Sequence, residues 1–272
     1  MADEPRRRGN PLLMMIIVVL AILVPFYAWY GSWWGRPLTD EQVIERLSGE
    51  ADAPEIQHAL KEVARRLEEG SADPTRFRDL VIALADHPEP NVRRMVAFVL
   101  GHDPDEACHR TLVRLLSDED LATRRNAALW LSKWRDPRAR PILLEMLEPL
   151  EVRAPGEGVL DMKVRKGDAV SIGRDMAVID QGDDRTISLR PPMNGQVLEV
   201  VHDDGDRVSR GAVICRLTPD PESVYEALRA LMLVGRKEDA AAVEPFAAGR
   251  VEGMSPEVSR QARLTLDHLR SL

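Results

Sequence analysis

The sequence predicts a multidomain α and β chain: a single transmembrane helix, an α-solenoid, a small β domain and C-terminal helices that resume the α array. Three observations carry this reading. An uncharged run follows three arginines near the N-terminus, Asp-Pro pairs recur about every thirty residues, and the string Gly-Asp-x-Val-Ser-x-Gly occurs twice between residues 151 and 218.

Bulk properties narrow the function classes. The chain has 272 residues, 44% hydrophobic and 30% charged, with a formal net charge of -8. An acidic balance argues against nucleic acid as the main partner, because binding it depends on neutralising phosphates with Lys and Arg. The two cysteines, Cys108 and Cys215, are far apart and lack metal-ligand spacing. They read as buried small apolar residues, not as a disulfide framework.

Arg6, Arg7 and Arg8 precede an uncharged run of 20 residues from Pro11 to Tyr30. About 20 apolar residues in a helix cross a hydrocarbon core of about 30 Å. Phe26, Tyr27, Trp29, Tyr30, Trp33 and Trp34 cluster at one end of the run, as an interfacial belt would. The run is too long for a signal peptide, and Ala28-Trp29-Tyr30 is a poor cleavage site. Residues 11–34 are therefore expected to form a retained anchor contacting membrane lipid. By the positive-inside bias, residues 1–10 would lie in the cytoplasm and everything after Trp34 outside it.

From Thr39 to Leu150 apolar residues recur three and four apart, as in Leu80, Ala83, Leu84 and in Leu112, Leu115, Leu116. Asp73-Pro74, Asp103-Pro104 and Asp136-Pro137 are each expected to open a helix, with Asp as N-cap and Pro at the first helical position. Their spacings are 30 and 33 residues, a solenoid period. The segment from Asn91 to Leu100 matches that from Ala122 to Leu131 at an offset of 31. Each unit is thus two helices joined by a short acidic turn such as Asp86-His87-Pro88-Glu89 or Asp118-Glu119-Asp120. Residues 50–148 resemble HEAT-type repeats, of the short variety with Val-Arg before small apolar residues in the second helix. That resemblance implies that Arg93 and Arg124 pair with acids in neighbouring turns, and that the array presents a long surface to protein partners.

At Glu151 the pattern changes to alternating valines among glycines and prolines. Pro155 and Gly158 recur as Pro192 and Gly195, offset by 37. Gly167 to Gly173 recurs as Gly205 to Gly211, offset by 38. Each Gly-Asp is expected to be a tight turn, with Gly at positive φ and Asp bonding local backbone. Residues 151–218 resemble the biotinyl/lipoyl-like domain, a barrel-sandwich of two short sheets related by a pseudo-two-fold. In carriers of that family a lysine in the hairpin joining the halves takes the cofactor. Here the joint reads Asp180-Gln181-Gly182-Asp183-Asp184-Arg185-Thr186, and Asp183, Asp184 and Arg185 supply no primary amine. The resemblance therefore implies a rigid module that carries no cofactor. Similar modules occur in periplasmic adaptors of efflux and secretion systems, but those insert a long coiled-coil hairpin between the halves.

Residues 219–272 return to helix. Asp220-Pro221 caps one from about Glu222 to Val234, and further helices are expected over 238–248 and 256–269. The β domain is thus inserted into, or appended between, parts of one array, with its ends close together against the helices at 137–148 and 222–234.

No P-loop, dinucleotide, zinc-protease or nucleophile-elbow motif occurs. His102, Asp103, Cys108 and His109 form the best metal candidate, yet their spacing matches no zinc pattern. Asp183-Asp184 and Asp203-Asp204 read as solvated turns. No catalytic residue, metal or cofactor is expected. Trp130 and Trp134, four apart on a helix, are the candidate protein-binding residues, one facing the core and one the array surface. The expectation is a single-pass inner-membrane protein with its bulk in the periplasm. It would act as a scaffold, an accessory subunit holding other subunits of a larger bacterial membrane complex, such as a respiratory or other energy-transducing one. The alternative is a periplasmic adaptor of an efflux or secretion system.

Overall fold

The computed structural model describes Met15, residues 19–24, Phe26, and residues 37–48, 51–71 and 73–272. Most of the expected anchor over 11–34, including Tyr27, Trp29, Tyr30, Trp33 and Trp34, lies outside the described residues, as do residues 1–10. Phe26 and the described positions before it are helical and exposed. Among the described residues no helix is long and apolar enough to cross a membrane.

The helical array begins with α1 (Asp40–Leu47) and α2 (Ala53–Glu68), followed by α3 (Arg78–Ala83), α4 (Pro90–Leu100), α5 (Glu106–Leu115), α6 (Leu121–Lys133) and α7 (Arg140–Glu145). It resumes after the β module with α8 (Pro221–Val234), α9 (Ala240–Ala247) and α10 (Pro256–Ser271). Capping explains most starts. Asp52, Asp120, Asp220 and Ser255 each accept a backbone N–H from the first turn, satisfying a donor that would otherwise lack a partner. Asp73-Pro74 and Asp136-Pro137 open short 3₁₀ turns that lead into α3 and α7. Asp103-Pro104 departs from the expected capping: the cap of α5 is Asp105, two residues later. The Asp103 carboxylate is already engaged, accepting from Arg78 Nε at 2.6 Å and Nη2 at 3.1 Å, and is buried to 5% exposure.

The second helices of successive pairs, α2, α4, α6, α8 and α10, stack side by side into one layer, and α3, α5, α7 and α9 pack along it. One continuous apolar core runs from Leu38 to Leu147 and on through Val224 to Leu269 without a break at the β module. The aliphatic positions repeat at 31: Val81, Leu112 and Leu143 are all buried.

Ion pairs repeat with the helices. Arg78, His109 and Arg140 stand 31 apart on α3, α5 and α7, and each reaches an aspartate at the start of the next unit. Arg78 bonds Asp103, His109 Nε2 bonds Asp136 at 2.8 Å, and Arg140 Nε bonds Asp239 at 2.7 Å. The last pair spans the whole β module. On the second helices, Arg93 donates to both Asp118 oxygens, at 2.8 and 2.9 Å, and to the carbonyls of His87 and Pro88. Arg124 repeats this with the carbonyls of Asp118 and Glu119, and reaches Glu145 at 3.4 Å because Pro149 stands one repeat on from Asp118. The implied pairing with an acid in a neighbouring turn is present for Arg93, whereas the acid that Arg124 meets is at the end of α7.

This register locates the β module. It follows α7, the first helix of a pair, and precedes α8, the second, so it is inserted within one helix pair. Its strands are β1 (Leu150–Arg153), β2 (Gly158–Met162), β3 (Ala169–Val170), β4 (Ala177–Gly182), β5 (Arg185–Leu189), β6 (Gly195–Val200), β7 (Arg207–Val208) and β8 (Val213–Leu217). They form two four-stranded antiparallel sheets, ordered β1-β8-β6-β3 and β5-β4-β2-β7. Each short strand, β3 or β7, joins the sheet of the opposite half, which interlocks the halves. Thirteen buried side chains, among them Leu160, Ile179, Val197 and Leu217, form a separate core between the sheets. Leu150 sits opposite Leu217, so the module's ends meet.

Candidate protein-binding surface

The Gly-Asp turns are built as expected. Gly167 and Gly205 have φ of 90° and 86°, and Asp168 and Asp206 each accept a backbone N–H three residues back, from Arg165 and Asp203. The β4–β5 hairpin ends in Asp183 and Asp184, both at positive φ, 51° and 57°. That is the left-handed geometry of a two-residue hairpin turn, which Asp tolerates better than most residues. The tip presents two carboxylates, with Arg185 exposed beside them. An open groove elsewhere on the module mixes Arg165 and Lys166 with Glu199, Asp203 and Asp204, and no set of like groups converges in it.

The metal candidates separate. His102 Nδ1 sits 3.0 Å from the Phe98 carbonyl, at the end of its own helix, whereas His109 bonds Asp136. Cys108 is buried next to Asp103, and burial with that carboxylate pushes its thiol up to about 12. Among the described residues no cluster of His, Cys, Asp or Glu is arranged to hold a metal ion.

The most developed surface feature lies at the C-terminal ends of α2, α4 and α6. Trp130 is half-buried there, its ring 4.4 Å from the His102 ring and 5.9 Å from Phe98, with Lys133 Nζ 3.6 Å above its face. Glu68 at the end of α2 lies 3.7 Å from His102 Nε2. Trp134 is also half-buried, tilted against His109 at 5.6 Å. Both tryptophans pack on the array core, so the expected division into one core-facing and one surface ring is replaced by two rings at the boundary. Gly101 is what admits Trp130: a Cβ built on Gly101 would fall inside the indole ring. Its φ of -63° is one that any residue adopts, so the requirement is for space alone. Gly101→Ala is expected to expel Trp130 and cost about 1–3 kcal/mol. Tryptophan fluorescence shifted to the red, with a lower urea midpoint, would show it. An unchanged spectrum would mean that the ring relaxes in place.

Comparison with known proteins agrees with the two-part architecture. Residues 77–155 match the family model for HEAT repeats, and residues 150–217 match the model described as biotin-requiring enzyme. The chain therefore joins HEAT repeats to a biotinyl/lipoyl-type sheet domain. No curated protein matches the chain. Among solved structures, the complex of CpcE and CpcF of phycocyanin lyase from Nostoc sp. PCC7120 is similar at a TM-score of 0.47 and 18% identity, covering 89% of this chain and 68% of that one.

Proposed function

We propose that this protein is a scaffold: membrane-anchored and extracytoplasmic, non-catalytic, and an accessory subunit that holds other subunits of a larger bacterial membrane complex of the respiratory or other energy-transducing kind. The observation that carries the protein-binding part is the Phe98–His102–Trp130–Lys133 cluster across adjoining second helices of a stacked array. A half-buried tryptophan held rigid by its neighbours offers a large contact area at little entropic cost, as interface hot spots do. The anchor rests on the uncharged run and aromatic belt of residues 11–34. The Asp183-Asp184 tip, which offers no amine for attaching a cofactor, supports a structural role for the β module.

The test is affinity capture of the full chain, tagged after Leu272, from its own membranes in mild detergent, with mass spectrometry of what stays bound. A defined membrane complex at fixed stoichiometry is the expected result. Trp130→Ala should reduce its recovery at least tenfold, corresponding to a hot spot of about 2 kcal/mol. A transporter or outer-membrane channel in its place would favour the adaptor role that the β module suggests. Capture of the chain alone would overturn the scaffold reading.

A further inference from the structure

Arg94 and Arg125 stand 31 residues apart at the same position of α4 and α6, yet they end in different environments. Arg94 makes a two-pronged pair with Asp120, Nε to Oδ2 at 2.7 Å and Nη2 to Oδ1 at 2.6 Å. Asp120 is the cap of the next second helix, α6, where Oδ2 also accepts from the N–H and hydroxyl of Thr123, both at 2.8 Å. The second helix after α6 is α8. Its cap, Asp220, accepts in the same way from the N–H and hydroxyl of Ser223, at 2.9 and 3.0 Å. By the repeat, Arg125 should close on Asp220.

It does not. Arg125 Nη1 donates to Met193 Sδ at 3.2 Å, a weak acceptor, and its buried Nε has no hydrogen-bond partner. Arg125 is only 8% exposed and Met193 only 7%. Met193 belongs to the link between β5 and β6, so the module has placed a thioether where the repeat places a carboxylate. Burial lowers the Arg125 pKa, with Glu145 and Asp220 acting against it and Arg124 with it. A buried guanidinium left short of acceptors favours any rearrangement that supplies one.

We propose that the β module is a displaceable wedge: seated, Met193 holds Arg125 away from Asp220, and lifted, it lets the two close as Arg94 and Asp120 do. Lifting trades the weak Arg125–Met193 hydrogen bond for a two-pronged charge-assisted pair, so the position of the module and the closure of α6 on α8 are coupled. Any partner that grips the module shifts that balance.

The experiment uses the full chain in detergent, with spin labels on Asp184→Cys at the module tip and Arg110→Cys on α5. Cys108 and Cys215 stay unlabelled, being buried with thiols pushed up to about 12 and about 11. Pulsed electron–electron distance measurement is expected to show two populations. Asp220→Asn keeps the cap but loses the closing charge, and should reduce the undocked population at least threefold. Met193→Glu gives Arg125 an acceptor in the seated position and should leave only the docked one. Arg125→Met, which removes the charge with little change of volume, carries the same expectation should the glutamate variant not fold. A single population in the parent chain overturns the proposal, and so does a second population that Asp220→Asn leaves unchanged.

Discussion

Replacing Arg93 by methionine is expected to destabilise the array by about 3–5 kcal/mol, the usual cost of breaking a buried ion pair from one side. Arg93 is 6% exposed and ties its helix to two turns, through the carbonyls of His87 and Pro88 in its own and both carboxylate oxygens of Asp118 in the next. Methionine fills much of the volume and leaves the Asp118 carboxylate, itself 7% exposed, without its cation. At about 2–4 °C per kcal/mol for a folded unit of this size, the melting temperature should fall by about 10 °C. Adding Asp118→Leu should recover part of the loss, because replacing both partners by apolar groups removes the unpaired charge. Urea denaturation followed by circular dichroism measures both variants. A loss below about 1 kcal/mol for Arg93→Met would show that water reaches Asp118 and that the pair is not structural.

Acid should unfold the array over a defined window. Burial raises the Asp120 carboxyl, but hydrogen bonds from Arg94 and from the N–H and hydroxyl of Thr123 outweigh it and hold the pKa at about 2. Asp136 is also held at about 2, by the Arg138 side chain first, then by the Arg138 N–H and His109, against the effect of burial. Both folded values lie below the ordinary 3.8. The stability they supply is therefore complete above the unfolded value and is lost as pH falls from about 4 toward 2. Linkage puts each at about 2 kcal/mol, so the pair accounts for about 4 kcal/mol across that window. Urea midpoints at pH 5 and pH 3 should differ by about half of this, about 2 kcal/mol, because pH 3 lies midway through the window. Asp120→Asn and Asp136→Asn should each flatten the dependence, since Asn keeps the cap but does not titrate. A slope that neither variant changes would assign the acid sensitivity to other carboxylates.

Local chemistry was the part of this molecule most open to reading from sequence. The Gly167-Asp168 and Gly205-Asp206 turns, the Asp220-Pro221 cap, and the pairing of Arg93 depend on residues near in sequence or one repeat away. The role of Asp103 was hidden because Asp-Pro marks a helix start in every other copy, and only the arrival of Arg78 from α3 diverts its carboxylate. The comb of Arg78, His109 and Arg140 lies in the sequence at a spacing of 31, but a histidine interrupts the run of arginines, and the last partner, Asp239, lies beyond the sheet domain. Placing that domain inside one helix pair needed this comb. Gly101 gave no signal, because its φ suits any residue and its purpose is set by Trp130 on another helix. Arg125 repeats Arg94 in sequence, so nothing local reveals that Met193 has replaced its acid.

The insertion within a helix pair bears on how the chain folds. Without the sheet domain in place, α7 and α8 would have to find one another across about 75 residues of loose chain, an entropy cost on the order of 4 kcal/mol. Pairing β1 with β8 sets Leu150 opposite Leu217 and leaves only short links to either helix. A sheet domain that folds early therefore closes this loop for the helices, turning a contact across the whole insertion into a nearly local one. Damage to its β1–β8 ribbon would accordingly slow the assembly of α7 with α8.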